Sequence, residues 1–127
     1  MQKQLEQVKE FHKAFSVFSQ ENPVPAPKDI MDLRASIMRE ELKEVIDAMQ
    51  DEPIENIAKE LADLLYVVYG TIWAYGLADK IENVFDEVHR SNMSKLGADG
   101  KPVLREDGKV LKGPSYSPAN IVSVLNA

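Results

Sequence analysis

Cysteine is absent from the 127 residues, and with it go disulfides, zinc–thiolate sites and thiol nucleophiles. Any metal bound here must be held by oxygen or by histidine. Positive charge is scarce as well: 15 Lys and Arg against 21 Asp and Glu leave a net charge of -6, which argues against a face that grips a nucleic-acid polymer. Small anions must then be held by a few local cations or through a metal. No apolar run reaches the ~20 residues that cross a bilayer, since the longest extends only from Leu64 to Ala78. The opening "MQKQLEQVKEFHK" lacks the apolar centre of a signal peptide, so no membrane partner and a cytoplasmic location are expected. Internal repeats and low-complexity tracts are missing too.

What is present is helical periodicity. Leu5, Val8, Phe11, Phe15 and Phe18 recur at three- and four-residue steps and predict a first helix from Gln2 to about Ser19. "ENPVPAPKD" breaks it with three prolines. Asp29 is the expected N-cap of a second helix ending near Met49, and Pro53 the expected first position of a third, from about Ile54 to Tyr75, with Gly76 as its left-handed stop. A fourth helix is expected from about Asp79 to Lys95, with Ile81, Val84, Phe85 and Val88 as its apolar stripe. In "VLREDGKVLKGP" two short apolar runs flank Asp107-Gly108, a hairpin signal, and "SYSPANIVSVLNA" ends the chain as an extended or briefly helical tail. The expectation is one domain over 1–127: a four-helix-bundle-like all-α core over about 2–95, then a hairpin and tail over about 96–127.

The acids are distributed unevenly on these helices. At about 100° per residue, and taking Glu40 as zero, Glu44 sits near 40° and Glu41 near 100°. The apolar residues of the same helix span roughly 60° to 240°, which puts Glu41 inside the apolar arc and Glu44 at its edge. On the third helix Glu60 and Asp63 lie about 60° apart. Asp63 is the only charged residue between Leu61 and Tyr75 in a helix apolar nearly all round, so it is expected to be buried or to line an internal cleft.

A buried carboxylate loses several kcal/mol of solvation unless it is neutralised, hydrogen-bonded or coordinated. Arg34, Arg39, Lys43 and Lys59 are near in sequence, but on the wheel they mostly point elsewhere. A divalent cation is the simplest compensation, and all-oxygen ligation favours Mg²⁺, with Mn²⁺ as a substitute. An E-E-x-x-E alone marks a solvated acidic face more often than a site. The conjunction of two acidic clusters on consecutive helices, one inside an apolar run, is what points to metal.

"REELKEV", followed after a spacer by "ELAD", resembles the E-E-x-x-E and E-x-x-D signature of the all-α nucleoside triphosphate pyrophosphatases, which include the MazG proteins, the dimeric dUTPases and phosphoribosyl-ATP pyrophosphohydrolase. "VKEFHKAF", "LRASIMREE", "VHRSNMSK" and "DGKVLKGPSY" are similar to the MazG-like, phosphoribosyl-ATP-pyrophosphohydrolase-like branch of bacteria and phages. The resemblance implies a homodimer or a dimer of dimers that hydrolyses a nucleoside triphosphate with Mg²⁺, giving a monophosphate and pyrophosphate. It implies Glu41, Glu44, Glu60 and Asp63 as metal ligands, with Glu40 either a further ligand or the base that positions the attacking water, and Glu40 and Glu41 as the catalytic pair. Arg90, Asn92, Lys95, Lys109 and Lys112 would hold the outer phosphates, and His12 would face the nucleotide.

Each of these has an ordinary alternative. Arg90 and Lys95 suit any helix C-terminus, Lys109 and Lys112 any hairpin surface, and His12 any half-exposed helix face. Phe11 and Phe15 could stack on a base, although core packing is the more common role. A di-iron bundle uses E-x-x-H on two helices, whereas His89 has only Asp86 before it and no second histidine to match. The substrate expected is a purine such as dGTP or dATP, then dUTP or phosphoribosyl-ATP. The opposing possibility is a non-catalytic helical interaction module.

Overall fold

A computed structural model describes all residues from 1 to 127. The chain forms α1 (Gln2–Ala14), α2 (Lys28–Asp51), α3 (Ile54–Ala74), α4 (Ile81–Met93), a two-stranded ribbon of β1 (Val103–Leu104) and β2 (Val110–Leu111), and α5 (Ile121–Leu125). These group into two compact units, Met1–Asp79 and Lys80–Ala127. The division falls before α4, so α4 groups with the hairpin and tail.

In the first unit α1 stops at Ala14, short of the expected Ser19, because Ser16 takes a left-handed φ of 55° and the Val17 N–H turns back to the His12 carbonyl. Phe15 and Phe18 therefore leave the helical stripe. The proline-rich segment runs on to α2, whose N-cap is Pro27 and not Asp29. The Pro27 carbonyl accepts the Met31 N–H at 2.8 Å, and Asp29 sits in the first turn, where its charge meets the helix dipole. Pro53 likewise precedes α3 as N-cap, its carbonyl accepting from Asn56 and Ile57. Gly76 ends α3 as expected: its φ is +66°, and a Cβ there would stand 1.8 Å from the Asn22 carbonyl oxygen.

The core of this unit is small. Leu5 and Val8 of α1, Val45 and Ala48 of α2, and Trp73 and Ala74 of α3 are buried together with Ala78. Trp73 Nε1 donates to the Leu5 carbonyl at 2.8 Å, which keeps the indole satisfied. The expectation that α3 is buried all round fails within this chain: only Gly70, Trp73 and Ala74 are buried, while Leu61, Leu65, Tyr66 and Val68 are exposed.

In the second unit α4 is two residues shorter at each end than expected, and α5 packs on it. Glu87 accepts from Arg90 at 2.8 Å and from the Asn120 N–H at 2.9 Å, tying the tail to α4. Ser94 Oγ accepts the Ser117 N–H at 2.8 Å. The expected hairpin is present, antiparallel with Val103 opposite Leu111 and Leu104 opposite Val110. Gly108 supplies the positive φ of its turn, where Asp107 accepts the Lys109 N–H.

Candidate metal centre

Helices α2 and α3 are joined by a two-residue turn and run antiparallel. That geometry brings the middle of α2 against the first half of α3. Glu41, Glu60 and Asp63 each offer an oxygen there, and these oxygens all lie within 4.8 Å of one another. All three residues are half-buried. Asp63 is thus at a cleft edge and not in the core.

Two atoms define the character of this cluster. Glu41 Oε2 and Glu60 Oε2 are buried and have no hydrogen-bond partner. Such atoms are uncommon in native proteins and each carries a desolvation cost of about 1–3 kcal/mol or more. The Glu41 carboxyl is pushed above the ordinary range, first by burial, then by Glu44 through charge and a hydrogen bond, and then by Asp63 and Glu60. Carboxylates that repel one another while two of their oxygens stay unpaired fit a cation, and an all-oxygen donor set fits a hard one.

Lys59 corrects the expectation that the nearby cations point away. Its Nζ donates to Asp63 Oδ2 at 2.8 Å and lies 3.5 Å from Glu60 Oε1. Because Lys59 remains 67% exposed, water screens much of this attraction, and one screened lysine leaves three carboxylates under-compensated. Lys43 does point elsewhere, to Asp47. Of the other two acids, Glu40 and Glu44 are exposed on α2 and outside the group of three, although Glu44 is near enough to raise the Glu41 carboxyl.

Arg34 points away from the carboxylates, into the seam between α2 and α3. It is buried, donating from Nε to Thr71 Oγ1 at 3.1 Å and from Nη2 to the Val67 carbonyl at 2.8 Å, and burial draws its pKa down. The signal was available: on the wheel that puts Glu40 at zero, Arg34 falls near 120°, in the apolar arc. His12 is also buried, not a surface histidine. Its Nδ1 bonds Ser19 Oγ at 2.9 Å, and burial and Arg34 together lower its pKa. Both side chains close on Gly70, where a Cβ would stand 2.4 Å from Arg34 Nη2 and 2.8 Å from His12 Nε2.

Between α1 and α3 lies a half-open cavity of about 330 Å³ lined by Gln4, Gln7, Val8, Leu65, Tyr66 and Tyr69 together with Ala62. None of the clustered carboxylates lines it, although Ala62 directly precedes Asp63. Phe11 and Phe15 are not core residues, at 40% and 69% exposure. Phe11 stacks on Phe15 at 4.5 Å and meets Tyr66 edge-on at 5.5 Å.

The remaining expected residues belong to the second unit. Arg90 is engaged by Glu87 and the Pro118 carbonyl, and the Lys112 ammonium lies 4.8 Å from the Tyr116 ring centroid. Lys95 is half-buried, its carbonyl accepting the Gly113 N–H, while Asn92 and Lys109 are exposed.

A mostly helical chain that folds E-E-x-x-E and E-x-x-D into one carboxylate cluster is of the all-α nucleoside triphosphate pyrophosphatase class. Residues 8–92, more than half of its length, match the family model of phosphoribosyl-ATP pyrophosphohydrolase, and the chain belongs to that family. It is a hydrolase acting on phosphoric anhydrides. A solved structure of a candidate NTP pyrophosphohydrolase from Exiguobacterium sp. 255-15 aligns over 95% of this chain and 90% of its own, at 24% identity and a TM-score of 0.47. No curated protein matches the chain. No helix is long and apolar enough to cross a membrane.

Proposed function

We propose that the chain hydrolyses a nucleoside triphosphate between the α and β phosphates, with Mg²⁺ held by Glu41, Glu60 and Asp63 and with Glu44 as a further ligand. The observation that carries this reading is the pair of buried, unpaired oxygens on Glu41 and Glu60 within a three-carboxylate cluster. The ion supplies charge neutralisation at the phosphate oxygens. Glu40, exposed one residue before Glu41, orients the attacking water and takes its proton. The β and γ phosphates are assigned to Arg90, Asn92, Lys95, Lys109 and Lys112, whose cations suit a polyanion on a chain otherwise acidic.

The exposed ring cluster of Phe11, Phe15 and Tyr66 supports a base stacked beside the acids, with His12 behind it. A purine deoxynucleotide, dGTP or dATP, is the favoured substrate, with dUTP and phosphoribosyl-ATP as the other members of the panel. Self-association as a dimer or a dimer of dimers belongs to the same reading. Its support is the apolar surface that α2 and α3 leave uncovered.

The test is a triphosphate panel with Mg²⁺ or Mn²⁺, separating monophosphate, diphosphate, pyrophosphate and phosphate. Pyrophosphate release from one or more substrates is expected, falling about 10²-fold or more in Glu41→Gln and Asp63→Asn. No turnover on any nucleotide would leave the chain as a non-catalytic interaction module.

A further inference from the structure

Arg34 lies outside the acid cluster, yet it shares the cluster's seam. Counting forward seven residues on α2 leads from Arg34 to Glu41; counting back seven on α3 leads from Val67, which accepts from Arg34, to Glu60. Seven residues are two helical turns, about 10 Å of rise with little rotation, so the Arg34 contact and the carboxylate contact occupy the same stripe in one antiparallel register. The two contacts stand or slip together.

Nothing else polar ties these helices directly. The side-chain hydrogen bonds between α2 and α3 are the two made by Arg34, to Thr71 Oγ1 and to the Val67 carbonyl. The turn after Asp51 fastens one side of the cluster, and Arg34 fastens the other. Between these ties sit like charges that push the helices apart whenever no cation is present. Gly70 gives the guanidinium its room, since a Cβ there would stand 2.4 Å from Nη2. A guanidinium that is only 6% exposed and bonded to neutral acceptors is an expensive way to hold two helices together, because a hydrophobic residue of similar size would pack there at less cost. What the forked donor adds is a fixed offset along the axis, which apolar contacts leave loose.

We infer that Arg34 is a positioning residue for the metal centre: by fixing the offset of α2 against α3, it holds Glu41 opposite Glu60 and Asp63 in the metal-free protein. The inference rests on the metal reading above and is tested apart from turnover. Mn²⁺ binding is followed by the electron paramagnetic resonance of the free ion for the intact chain and for Arg34→Met, Arg34→Lys and Thr71→Val. Amide exchange along residues 38–44 is measured without metal. Arg34→Met is expected to fold, to weaken Mn²⁺ binding at least about tenfold and to speed that exchange. Thr71→Val should show a smaller loss in the same direction, and Arg34→Lys should recover part of what Arg34→Met loses.

Unchanged binding and unchanged exchange in a folded Arg34→Met would overturn the inference. Should that variant fail to fold, Thr71→Val decides, and binding and exchange identical to those of the unaltered chain overturn it equally. If the unaltered chain itself takes up no Mn²⁺, the metal reading falls. The exchange data still report whether Arg34 sets the register.

Discussion

Glu41 carries the energetics of the cluster, and its sign is the reverse of the usual acid. Its folded-state carboxyl is raised, by burial first and by Glu44, Asp63 and Glu60 after that. A raised acid favours the fold when protonated, so its contribution is fully present below the ordinary value of 4.5 and is lost as pH rises through the higher folded one. Glu41→Gln removes the charge and keeps the shape. Without metal, that variant should melt a few degrees above the unaltered protein at neutral pH, with the gap closing toward pH 4. Adding Mg²⁺ should reverse the order, because only the unaltered site gains a bound ion. Thermal melts across that range check both halves. The acids themselves were legible from spacing alone, since a carboxylate inside an apolar arc has few explanations. Arg34 occupies the same arc, but a long cation commonly extends to water; its acceptors, the Val67 carbonyl and the Thr71 hydroxyl in the C-terminal part of α3, leave no mark in sequence.

Helices and strand pairs followed from the pattern, and their ends did not. Proline and glycine marked the turns before α2, before α3 and after α3, but whether a proline caps a helix or opens it depends on one carbonyl: Pro27 and Pro53 are both caps. Ser16 ended α1 with a left-handed φ that serine seldom adopts, so no residue type announced it. The tail is held by a contact equally invisible beforehand. Glu87 is drawn down to about 2 by hydrogen bonds from Arg90 and the Asn120 N–H. A depressed acid contributes above its ordinary value of 4.5 and loses that contribution as pH falls toward the folded one. The Asn120 amide should therefore be protected relative to its intrinsic exchange rate near neutral pH and lose that protection below about pH 4, and Glu87→Gln should show little protection throughout. An Asn120 amide indifferent to both changes would mean the ion pair does not anchor α5.

At the scale of the molecule, the apolar pattern told which residues avoid water and not whose surface covers them. Leu42, Ile46 and Met49 on α2 and Leu61, Leu65 and Val68 on α3 each step by four and then three, an unbroken stripe on either helix. Such stripes normally face a core. Here they stay open, with Met49 62% and Leu65 54% exposed. The stripes are turned away from the acids, about 140–200° round α3 from Asp63 and about 80–140° round α2 from Glu41, and a contiguous apolar face of this kind on a 14.3 kDa chain calls for a protein surface over it. A second copy offers a matched one, since it presents the same two stripes to be packed isologously. Sedimentation should give a dimer or tetramer at micromolar concentration, and Leu65→Glu, which introduces a charge mid-stripe, should shift it toward the monomer. Leu65 stands about 200° round α3 from Asp63, so Leu65→Glu perturbs assembly without touching the carboxylates, and Mn²⁺ binding that weakens with the shift would tie the metal centre to the oligomer. A monomeric unaltered chain that still binds the ion would separate the metal centre from any need for a partner copy.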